Sequence, residues 1–407
     1  MQTKGKMFYG WWIAIATFFI LFVGLCSGFY TVSVFLKPFQ DTFGWTSTQI
    51  SLGFTIAALL VGLLSPVVGI AVDKLGVKKV QLAGALITGT GLLLASMISQ
   101  LWHYYLIYVY MAIGLASVSL VPAQTIISYW FDRKRGTAMG LIMTGVGLGG
   151  MVMVYVASFV TENYGWENAY RFLGTLVLVL VVPLVLFVLK NKPEDVGFLP
   201  DGAAVAGGGA EAGDTLKSLN VKEAFKTLSF KFTCLLMFLF SIVLGGLTMH
   251  AIELIRSYGV SNASTMWSLA LGFSVLGRIF FGLLSDRMSK KLLVFITWVL
   301  LFLGFGSVMF VAGNQLLVWG FVVFYGLAIG SFVTLIPLFV GDLFGVEHFS
   351  KLIGIIGLMQ VIGLSVGSVL FGKIYDANQS YELAVMIVIG VALAGALVTV
   401  LISKPER

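Results

Sequence analysis

Twelve long apolar stretches, separated by short polar connections, constrain this chain more than any other feature. They fall at residues 8–36, 47–71, 79–99, 103–129, 136–161, 169–190, 232–256, 263–285, 292–313, 316–342, 351–374 and 382–403. A helix rising 1.5 Å per residue needs about 20 apolar residues to cross a ~30 Å hydrocarbon core. Backbone N–H and C=O groups meet no water there, so runs of this length satisfy them by being helical. The expected fold class is therefore an all-α membrane protein with twelve transmembrane helices. Only 11% of residues are charged, against about 25% in soluble domains. The start, MQTKGKMFYGWWIAIATFFILFVGLCSGFY, runs straight into apolar sequence and reads as a first span, not a cleaved leader.

The net charge of +7 is sorted by side. About 20 cations fall on one predicted face: Lys4, Lys6, Lys74, Lys78, Lys79, Arg133, Lys134, Arg135, those from Lys190 to Lys231, Arg287, Lys290, Lys291, Lys351, Lys404 and Arg407. Lys37, Arg171, Arg256 and Lys373 lie on or near the other. Cytoplasmic loops carry such an excess, which places both termini in the cytoplasm and makes the basicity topological. No nucleic-acid partner is expected. Arg278 belongs to neither face. It lies inside residues 266–286, MWSLALGFSVLGRIFFGLLSD, roughly 12 Å from the nearer end of its span. A charge at that depth costs at least ~2.5–3.5 kcal/mol, so it must face a bundle interior, a cavity or a counter-ion. It reads as the group that receives an anionic substrate. Cys26 and Cys234 fall inside apolar spans, which argues for packing roles and against a disulfide framework or metal site.

Residues 191–230 separate the sixth and seventh spans, with a Gly/Ala-rich centre, PDGAAVAGGGAEAGD, expected to be flexible. Asn220-Val-Lys-Glu223 has the form of a capping box, so VKEAFKTL is expected as a short amphipathic helix on the inner membrane face. The chain thus divides into a bundle at 1–190, a cytoplasmic linker at 191–230 and a bundle at 231–407. A repeat supports this. Gly69-Ile-Ala-Val-Asp73-Lys74 closes the second span, and Gly282-Leu-Leu-Ser-Asp286-Arg287 closes the eighth, each followed by two lysines. Spans five and eleven also correspond. Duplicated six-helix halves are a transporter's construction, with substrate at the midplane. In the repeated turn the Gly permits close helix approach, and the Asp accepts from a helix N-terminus or an Arg. Gly69, Asp73, Arg133, Gly282, Asp286 and Arg287 are therefore candidates for a cytoplasmic gate. Gly140, Gly145, Gly147, Gly149 and Gly150 of span five read as helix-packing positions. They are followed by no Gly-Lys-Ser/Thr ending, so no ATP site is expected.

The paired turn, the twelve spans and the central loop resemble the major facilitator superfamily along the whole chain. Residues 9–12, Tyr-Gly-Trp-Trp, resemble the opening signature of its monocarboxylate transporter family. Residues 129–145, YWFDRKRGTAMGLIMTG, resemble that family's second signature. Arg278, followed by Phe-Gly and Asp286, stands where the family places its substrate-binding arginine. The related oxalate–formate antiporter branch shares the Gly-Trp-Trp opening. Two departures matter. Tyr30 replaces a lysine that animal members carry in span one, and Ser274 replaces an Asp four residues before the arginine. Their lysine–aspartate proton relay therefore does not transfer. The antiporter branch uses a lysine deep in span eleven, whereas Lys351 and Lys373 lie near its ends.

A guanidinium offers two parallel donors that match one carboxylate, whereas a dianion would leave a net charge in a low-dielectric cavity. A small monocarboxylate such as lactate, pyruvate or acetate is favoured. Arg278 stays protonated and is not itself the proton carrier, so either carboxylate and proton cross together past it or another group carries the proton. His250 and Glu253 in span seven, one turn apart, are the candidates, since an unperturbed histidine titrates at ~6.5. Ser274, Tyr30, Tyr325, Phe332 and Gln360 are polar or aromatic groups in apolar helices that offer themselves as cavity lining. No nucleophile–base pair or metal-ligand spacing appears, so neither an enzyme nor a cofactor is expected. The expected activity is proton–monocarboxylate symport by alternating access, by a monomer in a bacterial inner membrane. An oxalate–formate type anion exchanger is the alternative, and a ligand sensor the reading from another class.

Overall fold

The computed structural model describes residues 8–131, 134–196, 221–285, 287–310, 315–345 and 349–403. Among them are 12 helices long and apolar enough to cross a membrane. In chain order they are α1 (Tyr9–Phe43), α2 (Ser47–Leu75), α3 (Val77–Ala95), α4 (Leu101–Trp130), α5 (Thr137–Tyr164), α6 (Trp166–Val188), α7 (Leu228–Ser257), α8 (Ala263–Ser285), α9 (Lys290–Val308), α10 (Val318–Phe344), α11 (Leu352–Asn378) and α12 (Glu382–Leu401). Each overlaps the apolar stretch expected there. The capping box lies partly outside the described residues, at Asn220. The short helix before α7 runs Val221–Lys226 and stops because Thr227 caps the next helix, its Oγ1 accepting from Phe230 N–H at 3.2 Å.

Several spans are not simple helices. α1 passes through a π-helical segment at Ile20–Leu25 and a turn at Tyr30–Thr31 before continuing as Val32–Phe43. α4 breaks at Val118–Ser119. Gly44, after α1, and Gly259, after α7, take φ of +68° and +81° in the corresponding turn of each half, a conformation that a Cβ disfavours.

Contacts divide the chain into two compact units. One comprises Met1–Thr31 with Leu60–Ala210, the other Val32–Leu59 with Glu211–Arg407. The second half of α1 and the first half of α2 therefore group with the later helices.

Within each unit the duplication reads as repeated backbone contacts. In the first, a Cβ on Gly145 or Gly149 of α5 would lie 2.8 Å from Phe18 O or 2.5 Å from Phe22 O of α1. In the second, a Cβ on Gly363 or Gly367 of α11 would lie 2.6 Å from Phe238 O or 1.9 Å from Ile242 O of α7. The two glycine pairs have the same spacing, as do the two carbonyl pairs. Lipid gives packed helices no hydrophobic gain over lipid contact, so association relies on such close small-residue contacts. Gly140 departs from this role: it is exposed and a Cβ there would meet nothing within 4 Å.

The ends of the sixth and twelfth helices are closed alike. Lys78 Nζ of α3 donates to Leu186 O at 2.6 Å, and Tyr9 Oη to Val188 O at 2.8 Å. Lys291 Nζ of α9 donates to Val400 O at 2.8 Å and Ile402 O at 2.6 Å, and Ser229 Oγ to Ser403 O at 2.6 Å. Lys78 and Lys291 hold the same place in the repeated turn. A cation on the last carbonyls of a helix is favourable by hydrogen bonding and by the helix dipole.

Two outcomes follow from this packing. Gly367→Ala drives a methyl into Ile242 O and is expected to abolish folded, monodisperse protein, whereas Gly140→Ala leaves it intact; size-exclusion profiles in detergent distinguish them. Lys291→Met is expected to lower stability by ~1–2 kcal/mol and Lys290→Met to change it little, read as thermal midpoints.

Candidate functional site

Arg278 is placed by a seam between α8 and α10. A Cβ on Gly330 would lie 2.0 Å from Ser274 O and 2.9 Å from Arg278 N. Gly326 meets Ala270 O at 2.5 Å, and Gly277 meets Leu327 O at 2.5 Å. Glycine at 277, 326 and 330 removes the Cβ atoms that would hold the helices apart, so the backbone carrying the arginine is pinned in height. Arg278 is half-buried and its Nε is withdrawn from the surface. A cation held so in a span retains its charge while losing most hydration, which suits it to an oxyanion.

Ser274, one turn earlier, is 1% exposed, and its hydroxyl donates to Leu271 O of its own helix at 2.6 Å. Tyr325 stands five residues before Gly330, about 7 Å along α10, level with Trp267 and Ala270. It is buried among Phe321, Trp267 and Phe305, with ring centroids at 5.2, 5.8 and 6.1 Å. Phe332 stacks on Phe240 at 3.8 Å with Trp298 edge-on at 5.7 Å. Both rings, which the sequence offers as cavity lining, are buried in the second unit among other aromatic faces. Gln360 is half-buried on α11, and Tyr30 is half-buried in the turn of α1, edge-on to Phe29 at 5.1 Å.

His250 and Glu253 do not share a proton with each other here. His250 is 0% exposed, with Nε2 2.8 Å from Ser51 Oγ and 3.1 Å from Ser368 O. Its Nδ1 lies 3.0 Å from Tyr381 Oη. Burial, with Glu253, Tyr375 and Asp376 nearby, pushes the Tyr381 phenol well above its ordinary range, so it stays a neutral hydroxyl. Glu253 instead pairs with Arg256, the side chain of Glu253 being 13% exposed and that of Arg256 41%. Histidine and carboxylate face different partners because both imidazole nitrogens are taken from other elements.

Four of the gate candidates, Gly69, Asp73, Gly282 and Arg287, lie among the described residues. A Cβ on Gly69 would meet nothing within 4 Å, and one on Gly282 only Thr334 Cγ2 at 3.8 Å. Neither glycine marks a close approach in this structure. Asp73 and Arg287 are exposed, and among the described residues Asp73 has no ion pair. Arg133 and Asp286 lie outside the described residues.

Sequence reasoning missed Ser51, Ser368, Tyr381 and Asp376. Asp376 Oδ1 and Oδ2 accept from Ser47 N–H at 2.9 Å and Thr48 N–H at 2.8 Å. An acidic residue near a span end was visible, but nothing local names a partner over 300 positions away.

The model of the Major Facilitator Superfamily matches residues 17–367 and 233–407. The chain belongs to that superfamily. Human monocarboxylate transporter 12 is 24% identical over 407 residues, covering 93% of this chain and 78% of its own length. Human monocarboxylate transporter 2 is 27% identical over 394 residues, covering 92% and 81%. The MFS-type transporter YcxA of Bacillus subtilis (strain 168) is 22% identical over 400 residues, covering 96% and 93%. Among solved structures, the nucleoside transporter NupG superposes with a TM-score of 0.74 at 18% identity over 98% of this chain and 100% of its own. That likeness concerns the fold. This superfamily member is thus a transporter, built from 12 membrane helices.

The packing roles are checked by stability. Phe332→Ala is expected to cost ~3–5 kcal/mol and Tyr325→Phe, which keeps its ring, ~1 kcal/mol. Equal thermal midpoints for Phe332→Ala and wild type would remove Phe332 from the core.

Proposed function

We propose that this chain carries small monocarboxylates of the lactate and pyruvate type across a membrane by alternating access, in symport with protons. One observation supports the reading above others. Arg278, a half-buried guanidinium in the eighth span, occurs in a chain whose relatives include monocarboxylate transporters along more than nine-tenths of its length. A guanidinium binds a carboxylate bidentately and stays charged throughout the cycle. Arg278 is the substrate group of this proposal, with Ser274 beside it and Gln360 and Tyr30 as further lining candidates. The superfamily fold supports two six-helix bundles at 1–190 and 231–407 joined by residues 191–230. The cation asymmetry supports cytoplasmic termini in a bacterial inner membrane, and a monomer is the proposed working unit.

Of the two proton candidates, Glu253 keeps partial access to solvent, whereas His250 has both ring nitrogens committed. Glu253 with Arg256 is therefore the better-placed relay.

The test is uptake of radiolabelled lactate into proteoliposomes, with and without an acid gradient directed along transport. Gradient-stimulated uptake is expected in wild type, with roughly tenfold or greater loss in Arg278→Ala. Arg278→Lys, which keeps charge but loses the fork, is expected to fall between. A folded Arg278→Ala protein that transports normally would overturn the site. Uptake driven by internal carboxylate and indifferent to the gradient would select the oxalate–formate type of exchange.

A further inference from the structure

We infer that the break in α4 is a buried hydration site, a polar pocket that holds water between the Gln81 side chain and the helix start at Leu120. The site lies within the first unit and does not depend on what the chain carries.

α4 stops at Ser117 and resumes as Leu120–Trp130, 11 residues long. A helix start leaves four backbone N–H groups without an intrahelical partner. Here they fall at residues 119 to 122, and Pro122 has none to offer. Ser119, in the N-cap position, makes no capping bond; its hydroxyl donates back to Ala116 O at 2.7 Å. Val118 is 0% exposed and Ser119 9%. This end of the segment is therefore buried inside a membrane span, where orphaned donors are costly.

Gln81 of α3 is the polar side chain at that level. The two helices run antiparallel, and glycine contacts give their register. A Cβ on Gly91 would lie 2.5 Å from Met111 Cγ, one on Gly114 2.7 Å from Thr88 N, and one on Gly84 2.6 Å from Ser117 Cβ. Each step back along α3 is a step forward along α4. Gln81, three residues before Gly84 on the same face, thus comes level with Leu120 and Val121. It is 0% exposed, and neither its Oε1 nor its Nε2 has a hydrogen-bond partner in the protein. A buried amide with both ends unpaired is rare. One that stands level with an uncapped helix start points to a bridging molecule.

Water is the ligand that fits. Gln81 brings an acceptor and a donor and the break brings further donors, the mixed set that a water molecule satisfies. Gln81 makes no direct bond to the break, which is the situation a bridging water resolves. Room comes from the crossing. Gly84 and Gly114 hold the backbones close, a Cβ on Gly114 lying 3.0 Å from Gly84 O. α3 stays against the segment before the break and meets the one after it only sparsely. Val118 closes another side with apolar atoms, a Cβ on Gly24 of α1 lying 3.8 Å from its Cβ.

An empty amide and a hydrated one respond oppositely to removal. Gln81→Met keeps the side chain's length and deletes the amide. Without water the change relieves two unpaired groups and raises the thermal midpoint; with water it strips the donors of the break of their bridge. A fall of several degrees is expected, and an unchanged or higher midpoint overturns the site. X-ray radiolytic footprinting in heavy-oxygen water reads the site directly, because radicals born from bound water modify side chains that bulk water does not reach. Leu115, 4% exposed, and Pro122, buried, are expected to take up label in wild type and several-fold less in Gln81→Met. Equal label in the folded variant overturns the site. So does absence of label at both residues in wild type, a result that stands even where Gln81→Met does not fold.

Discussion

Contact between helix backbones, made possible by glycine, is the interaction on which the rest depends. In hydrocarbon a helix gains nothing by hiding leucine from lipid, so neighbours are chosen by how nearly main chains can touch. Gly145 and Gly149 bring α5 onto α1, and Gly363 and Gly367 bring α11 onto α7 in the same way. Gly277, Gly326 and Gly330 do this for α8 and α10. The last seam has a chemical consequence, because it sets the height at which Arg278 leaves its helix. Both the scaffold and the cation therefore answer to residues that carry no side chain.

Polar side chains within the spans follow two solutions to the lack of water. Many hydroxyls bond back to their own helix, as Thr17 does to Ile13 O and Thr248 to Leu244 O, and Ser274 does beside the arginine. Others reach across helices, as between Thr297 and Ser331, between Tyr108 and Tyr170, and around His250 and Asp376. The first kind is mechanically silent. The second links elements that are far apart in sequence.

The departures from sequence expectation share one cause. Tyr325 and Phe332, offered by the sequence as cavity lining, pack against other aromatic faces, Tyr325 beside Trp267, Phe305 and Phe321 and Phe332 beside Phe240 and Trp298. His250 and Glu253 are one turn apart, which permits contact between them without requiring it. The repeated Gly-x-x-x-Asp turns mark the duplication faithfully, yet Gly69 and Gly282 face open or ordinary space. Lys78 and Lys291, read as topology-setting charges, turn out to cap the helices that end each half.

By itself the sequence determined that the chain crosses a membrane twelve times and repeats one half in the other. It also determined that one cation sits where lipid forbids an idle charge. These follow from hydropathy, spacing and the cost of burying charge, all of which are local. Tertiary structure alone decided which polar groups meet: Asp376 with the start of α2, His250 with Ser51, Ser368 and Tyr381, and Ser274 turned back on its own helix. Those pairings depend on the height and rotation at which helices touch. Glycines set that height through contacts between residues on helices well separated in the chain, and no local pattern encodes it.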